Sequence, residues 1–167
     1  MAYFQDLSEY VYLHRFRRPG TKNIGWLDLT HEFMRATPSD DLLTKIWNFC
    51  KISTAQTRGL HSCEVCGDGK YTDRNGEKLL LGSSEIRVFS EDGTIYAAPT
   101  LIYHYISAHN YCPPSEFLAA VNAGPAPPSQ AYFDRLRSLD LEHRETSAPS
   151  ERPRRFIITP KGKEYFD

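Results

Sequence analysis

Cys63-Glu64-Val65-Cys66, followed at once by Gly67, is the stretch of this chain best suited to chemistry. The two-residue spacing lets one tight turn aim both sulfurs at a single ion, and a glycine after the second cysteine relieves the backbone there. A redox pair is the rival reading. It wants a helix behind the first thiol to lower its pKa, and here a polar Gly/Asp loop follows instead. One pair supplies two of the four ligands of a tetrahedral Zn2+, so two more must come from elsewhere.

The candidates are His14, His31, His61, His104, His109 and His143, with Cys50 and Cys112 as spare thiols. His104 and His109 fall at the end of one expected helix, and His-x4-His lies within the spacing that Cys2His2 zinc sites tolerate. The expected set is therefore Cys63, Cys66, His104 and His109 around one structural Zn2+. His61 is a reserve ligand through His61-x-Cys63-x2-Cys66, and so is Cys112, which would replace His104 through His109-x2-Cys112. The bland alternative is that the histidines only pack their helix beside unmetallated thiols. Cys50, on an apolar helix face, reads as core.

A four-ligand sphere leaves no position for water or substrate, so no residue is expected to be catalytic. With only three ligands a zinc hydroxide becomes available, and Glu64, Asp68 or Glu85 would be its base. Positive support for such a site is lacking: there is no His-Glu-x2-His, no deaminase signature, no Gly-rich phosphate loop and no Gly-x-Ser-x-Gly.

The elements that must hold this set can be read from pattern. Tyr10–His14 and Ile24–Leu29, on either side of Pro19-Gly20, predict a hairpin across residues 10–29. Thr37 or Ser39 caps a helix whose Leu42, Leu43, Ile46, Trp47, Phe49 and Cys50 share one face. Residues 59–78 read as a loop, followed by strand character in Leu79-Leu80-Leu81. Glu85–Phe89 and Thr94–Ala98 flank Asp92-Gly93, a strong hairpin signal. Thr100 caps a helix that runs to His109, and Glu116–Asn122 forms a short third one ended by Gly124. The order knuckle, hairpin, helix with two histidines resembles a ββα zinc finger, although 37 residues separate Cys66 from His104. Six of the eleven prolines lie between residues 125 and 160. The expected division is thus a zinc-stabilised α+β domain over 1–123 and a Pro-rich extension over 124–167. That extension carries a helix over 129–139, a polar segment over 142–155 and a strand at Phe156–Thr159.

Twenty Lys+Arg against 21 Asp+Glu argue against a protein that coats nucleic acid by bulk charge. No apolar run approaches a membrane span and the N-terminus does not read as a signal peptide, so reduced cysteines in the cytoplasm are expected. Basic residues interleave with aromatics in Tyr12, Arg15, Phe16, Arg17 and Arg18, and with nearby Trp26 they make the expected binding surface. Asp28 and His31 could mark a pocket beside it. Arg152, Arg154 and Arg155 form a small basic run in the tail.

Arg58-Gly-Leu-His61-x-Cys63-x2-Cys66, Gly82-Ser-Ser-Glu85-Ile-Arg-Val88, Tyr96-Ala-Ala-Pro99-x-Leu-Ile-x-His104-Tyr and His109-x-Tyr111-x-Pro113-Pro114 together resemble a family of small uncharacterised bacterial proteins. The resemblance spans roughly residues 10–122. It implies a bacterial cytoplasmic setting and, because such proteins often lie near toxin, immunity or defence genes, an immunity or adaptor role. Cys112 stands where the family is usually basic, which weakens it as a ligand. The reading that follows is an α+β fold with two β-hairpins, two or three helices and one structural zinc. Its expected function is a non-enzymatic protein–protein interaction module. A metal-dependent hydrolase or nuclease with an open zinc site is the alternative, and a zinc-stabilised nucleic-acid binder the other.

Overall fold

The computed structural model describes residues 2–145 and, as backbone, strands over 155–159 and 162–166. One mixed sheet organises the described residues. Its strands are β1 (Thr21–Asn23), β2 (Ile52–Thr54), β5 (Glu85–Phe89), β6 (Ile95–Pro99) and β7 (His143–Glu145), in the order β1-β6-β5-β2-β7. Between β2 and β5 the chain forms a separate ribbon of β3 (Tyr71–Arg74) and β4 (Glu77–Leu80). In the tail β8 (Arg155–Thr159) pairs antiparallel with β9 (Gly162–Phe166).

The β5–β6 hairpin is the expected one, with Glu85 opposite Pro99 and Phe89 opposite Ile95. Gly93 takes φ +89° in the turn, a left-handed value that glycine adopts without a Cβ penalty. Both strands are buried along their whole length, so they are covered on both faces. That explains their near-continuous apolar sequence. Helix α1 (Asp40–Lys51) starts at Ser39, whose side chain accepts from the Leu42 N–H at 3.2 Å. It buries Ile46, Trp47, Phe49 and Cys50 and contacts β5. Helices α2 (Ile102–His109) and α3 (Ser115–Ala123) follow; α2 packs on α1, and α3 on β5.

The described residues depart from expectation in several places. The hairpin across 10–29 is displaced: β1 runs parallel to β6, and its antiparallel neighbour is the segment before residue 11. Tyr10 N–H donates to Thr21 O at 2.9 Å and Asn23 N–H to Ser8 O at 2.9 Å, while residues 14–16 form a single 3-10 turn. The loop expected over 59–78 contains β3, because Asn75 (φ 53°) and Gly76 (φ 81°) make a two-residue turn of the left-handed type that hairpins favour. Thr100 does not cap α2. Its hydroxyl accepts from the Gly82 N–H at 2.9 Å and donates to Ser84 O at 3.1 Å, tying the start of α2 to β5.

The packed core also continues past residue 123. Helix α4 (Gln130–Ser138), capped by Ser129, buries Tyr132 and Leu136 completely, and Leu141 joins the same cluster. Residues 143–145 pair with β2 where a polar segment was expected. Beyond the expected boundary at 123/124, Tyr132, Leu136 and Leu141 thus share the core of the residues before it. Residues 146–154 of that polar segment, with Arg152 and Arg154, lie outside the described residues.

Candidate metal centre

The knuckle closes on itself. Cys63 N–H donates to Asp68 O at 2.7 Å and Gly67 N–H donates back to Cys63 O at 2.8 Å, so residues 63–68 form one tight loop. Gly67 (φ +76°) and Gly69 (φ +90°) sit in the left-handed region. Gly69 is required for a second reason: a Cβ there would stand 2.7 Å from Cγ of the His104 ring. The backbone thus lies against the His104 imidazole, and only glycine leaves room. Val65 packs half-buried on the main core, and Leu81 N–H donates to Lys70 O at 2.7 Å, which leads the knuckle into the β3–β4 ribbon.

Helix α2 brings the other two donors. Ile102, Tyr103, Tyr105 and Ile106 bury its inner face, leaving His104 and His109 half-buried at its rim. Five residues apart, they would point about 140° away from each other on a regular helix. They meet because His109 is the last helical residue and Asn110 turns left-handed (φ 55°) after it. Arg35 secures that end by donating from Nη1 to His109 O at 3.2 Å.

Sγ of Cys63 lies 3.3 Å from Nε2 of His109, Sγ of Cys66 3.2 Å from Nε2 of His104, and the two Nε2 atoms 3.2 Å from each other. All four donor atoms fall within 4.8 Å of one another. A tetrahedral ion with bonds of about 2.0–2.3 Å to N and S has donor–donor edges of roughly 3.3–3.8 Å. Three of the contacts lie at or just below the short end of that range, and the four residues together could hold a metal ion. Donor chemistry agrees. Burial, and then the charge of His109, hold His104 below its ordinary pKa; burial and then Arg35 do the same for His109, so both rings favour the neutral form that can ligate. Burial pushes the Cys63 thiol up, and the neighbouring Cys66 adds to this, the strain that a cation bound between them would relieve. The Tyr105 hydroxyl, buried without a hydrogen-bond partner among the described residues, stands in the field of both thiols.

The reserve ligands lie elsewhere. His61 lines a narrow pocket with Tyr12, Trp26 and Glu85, and Cys112 points its sulfur at Pro113 O, 3.8 Å away. Cys50 is fully buried in the core. Of the suspected bases, Glu85 is bound to Arg87 (2.6 Å) and Tyr10 (2.9 Å) inside the protein. Asp68 contributes its backbone oxygen to the knuckle and its charge to the surroundings of His104.

The expected binding surface divides: Trp26 and Phe16 pack inward, and Arg15 and Arg17 stay exposed. Trp26 is 2% exposed and donates to Ala97 O at 3.3 Å, and Tyr12 leans on its ring. Phe16 packs against the core. Arg15 pairs with Glu142 and Arg17 with Glu9, while Arg18 donates to Leu139 O (2.6 Å) and Asp140 O (2.9 Å) at the end of α4. Arginine at a helix C-terminus satisfies carbonyls that have no intrahelical donor. Gly69, Arg35 and Asn110 escaped the sequence reading. Only Asn110 gave a signal, as an αL-prone residue directly after an expected helix.

A family model described as Domain of unknown function (DUF7919) matches residues 2–122. No curated protein and no solved structure matches the chain. The matched stretch carries all four donors, the knuckle and α2.

Proposed function

The chain belongs to the DUF7919 family, and on that premise we propose that it is a non-enzymatic binding module stabilised by one Zn2+. The carrying observation is the closed quartet of Cys63, Cys66, His104 and His109. Two thiols and two imidazoles suit Zn2+ among the divalent ions, and four protein donors leave no position for an attacking water. The ion would clamp the knuckle to the end of α2, joining segments that are otherwise linked through two hairpins. Binding free energy at such a site is folding free energy.

The partner is another protein. Val11, Leu29 and Met34 expose apolar side chains on the N-terminal segment, whereas Arg18 is spent on the end of α4 and Arg15 and Arg17 are paired with carboxylates at the surface. This pairing also weighs against single-stranded nucleic acid as the partner, since Arg15, Arg17 and Arg18 would have to leave existing contacts. The bacterial cytoplasm, where thiols stay reduced, suits both the ion and the free cysteines.

Metal analysis with X-ray absorption on the purified chain tests this reading. One zinc per chain, with two sulfurs at about 2.3 Å and two nitrogens at about 2.0–2.1 Å, is the expected result. An oxygen ligand with only three protein donors would favour the hydrolase alternative.

A further inference from the structure

Away from the metal centre, one histidine is held more firmly than a surface ring requires. Asp28 Oδ1 accepts from the backbone N–H of Thr30 and of His31, each at 3.0 Å. The His31 ring returns to the same carboxylate: its Nδ1 lies 2.8 Å from Asp28 Oδ1 and 3.0 Å from Thr30 Oγ1. Thr30 Oγ1 in turn donates to Asp28 Oδ2 at 2.9 Å. Tyr3 stacks flat on the imidazole, with centroids 3.6 Å apart and planes within 3°. Partial burial works to raise the Asp28 carboxyl, but the bonds from His31 and Thr30 prevail and hold it below its ordinary value. It is ionised at neutral pH.

This network assigns the tautomer. A carboxylate only accepts, and the single Thr30 hydroxyl proton is spent on Oδ2, so Nδ1 must carry the ring proton. The lone pair of the neutral ring is then on Nε2, which has no hydrogen-bond partner among the described residues. An orienting carboxylate behind one nitrogen and a free acceptor at the other is the arrangement that suits a histidine to receive a proton or a hydrogen bond.

The half-exposed ring lines a cleft of about 550 Å3, within the roughly 300–1,000 Å3 of small-molecule sites. Its walls include Leu29, Phe33 and, from the knuckle, Val65. Arg35 also lines it, its guanidinium held over the Phe33 ring at 4.5 Å with one nitrogen engaged by His109 O. The rest of that fork is available to an oxyanion. Glu32 lies on the same cleft and disfavours a doubly charged ligand.

We infer that this cleft binds a small monoanion with an apolar body and a hydroxyl, of the hydroxycarboxylate type. Its carboxylate sits on Arg35, its hydroxyl donates to His31 Nε2, and its apolar part lies against Leu29, Phe33 and Val65. Asp28, Thr30 and Tyr3 are positioning residues for His31. The site stands on the 28–35 loop, with Val65 of the knuckle at its wall and Arg35 anchored on His109 O.

An NMR titration of the full chain with mandelate tests this, with benzyl alcohol and phenyl phosphate as comparison probes. Mandelate should produce saturable shifts at the His31 ring and the Arg35 side chain, and benzyl alcohol none. His31→Gln and Arg35→Gln should each weaken mandelate by at least about tenfold, the scale of one charge-assisted hydrogen bond. Asp28→Asn keeps an acceptor for both backbone N–H groups; it should leave amide dispersion intact and still weaken binding, by letting the ring adopt the other tautomer. Absence of saturable shifts, or unchanged affinity in Arg35→Gln, overturns the site. Tighter binding of phenyl phosphate than of mandelate overturns the monoanion assignment.

Discussion

Two of the polar clusters among the described residues are built on opposite rules. The Tyr10–Glu85–Arg87 cluster is sealed: Glu85 and Arg87 are 2% and 0% exposed, and the pair is neutral without help. Its carboxylate receives the Arg87 guanidinium at 2.6 Å and the Tyr10 hydroxyl at 2.9 Å, and the guanidinium lies over the Tyr10 ring at 5.0 Å. The metal quartet sits at a rim and holds four groups whose best mutual contacts are thiol–imidazole and imidazole–imidazole, weak exchanges for such strong donors. The first cluster brings its own counter-charge. The second is an arrangement of lone pairs that could hold a cation. Polar groups gathered in one place thus mean structure where their charges cancel, and a ligand where their lone pairs converge.

Removing the ion should break that contrast with the largest effect. Structural zinc contributes roughly 10–16 kcal/mol in small zinc-dependent domains, and even half of that exceeds any single substitution in the core. Cys63→Ser and His104→Ala should each lose zinc and lower the thermal midpoint, and a chelator should lower the parent protein but neither variant. One metal per chain retained in His104→Ala would remove that histidine from the set. Acid should mimic the substitutions. Because the Cys63 thiol is raised, zinc must displace its proton, so affinity should climb with pH through the neutral range. The depressed imidazoles join the loss only on the acid side of their ordinary pKa. Isothermal titration of zinc in buffers of different ionisation enthalpy counts the released protons.

The sealed cluster should respond next, and through stability alone. Glu85→Ala strands a buried guanidinium whose Nε and Nη2 already lack partners among the described residues. A cost of about 3–5 kcal/mol is expected. Replacing both members, Glu85→Leu with Arg87→Met, should recover most of it, since a buried pair seldom outperforms apolar packing of similar volume. Urea unfolding measures both, and zinc content should stay at the parent value throughout. A fall in zinc content in Glu85→Ala would show that the two clusters are coupled.

The same contrast explains what could be read from residues alone. Two cysteines before glycines and two histidines at a helix end are a local pattern with a chemical reason, so the quartet was legible before any fold was known. The pairing of Glu85 with Tyr10 was not, because the two lie 75 positions apart and nothing local in Ser84-Glu85-Ile86 says which way the carboxylate faces. Glu85 was accordingly suspected as a base. Trp26 and Arg18 are ambiguous in sequence for the same reason: amphipathic side chains look alike whether they meet a ligand or, as here, the protein's own carbonyls. The β5–β6 hairpin and α1 were legible from turn and cap chemistry, and Asn75-Gly76 carried an equal signal that the polar composition around it obscured. Prolines after residue 124 suggested an appendage, yet Tyr132 and Leu136 at helical spacing outweigh them in the core.

Tyr10→Phe should give the smallest effect and the finest reading of the contrast. The ring stays, with its contact to the Arg87 guanidinium, and so does the Tyr10 N–H bond to Thr21 O. Only the hydroxyl is lost, leaving Glu85 Oε1 without its donor while Oε2 keeps Arg87. Hydrogen bonds to charged groups are worth about 1.5–3 kcal/mol, so the change should fall below that of Glu85→Ala. The hydroxyl also joins the segment before β1 to β5, at the face of the sheet where Trp26 is buried. If its role is confined to the carboxylate, the urea midpoint should drop with an unchanged slope and tryptophan fluorescence should be unaltered before the transition. A reduced slope, or an early red shift of the tryptophan emission, would mean that the N-terminal segment detaches first, and the cluster would then be a latch for that segment rather than a closed element of the core.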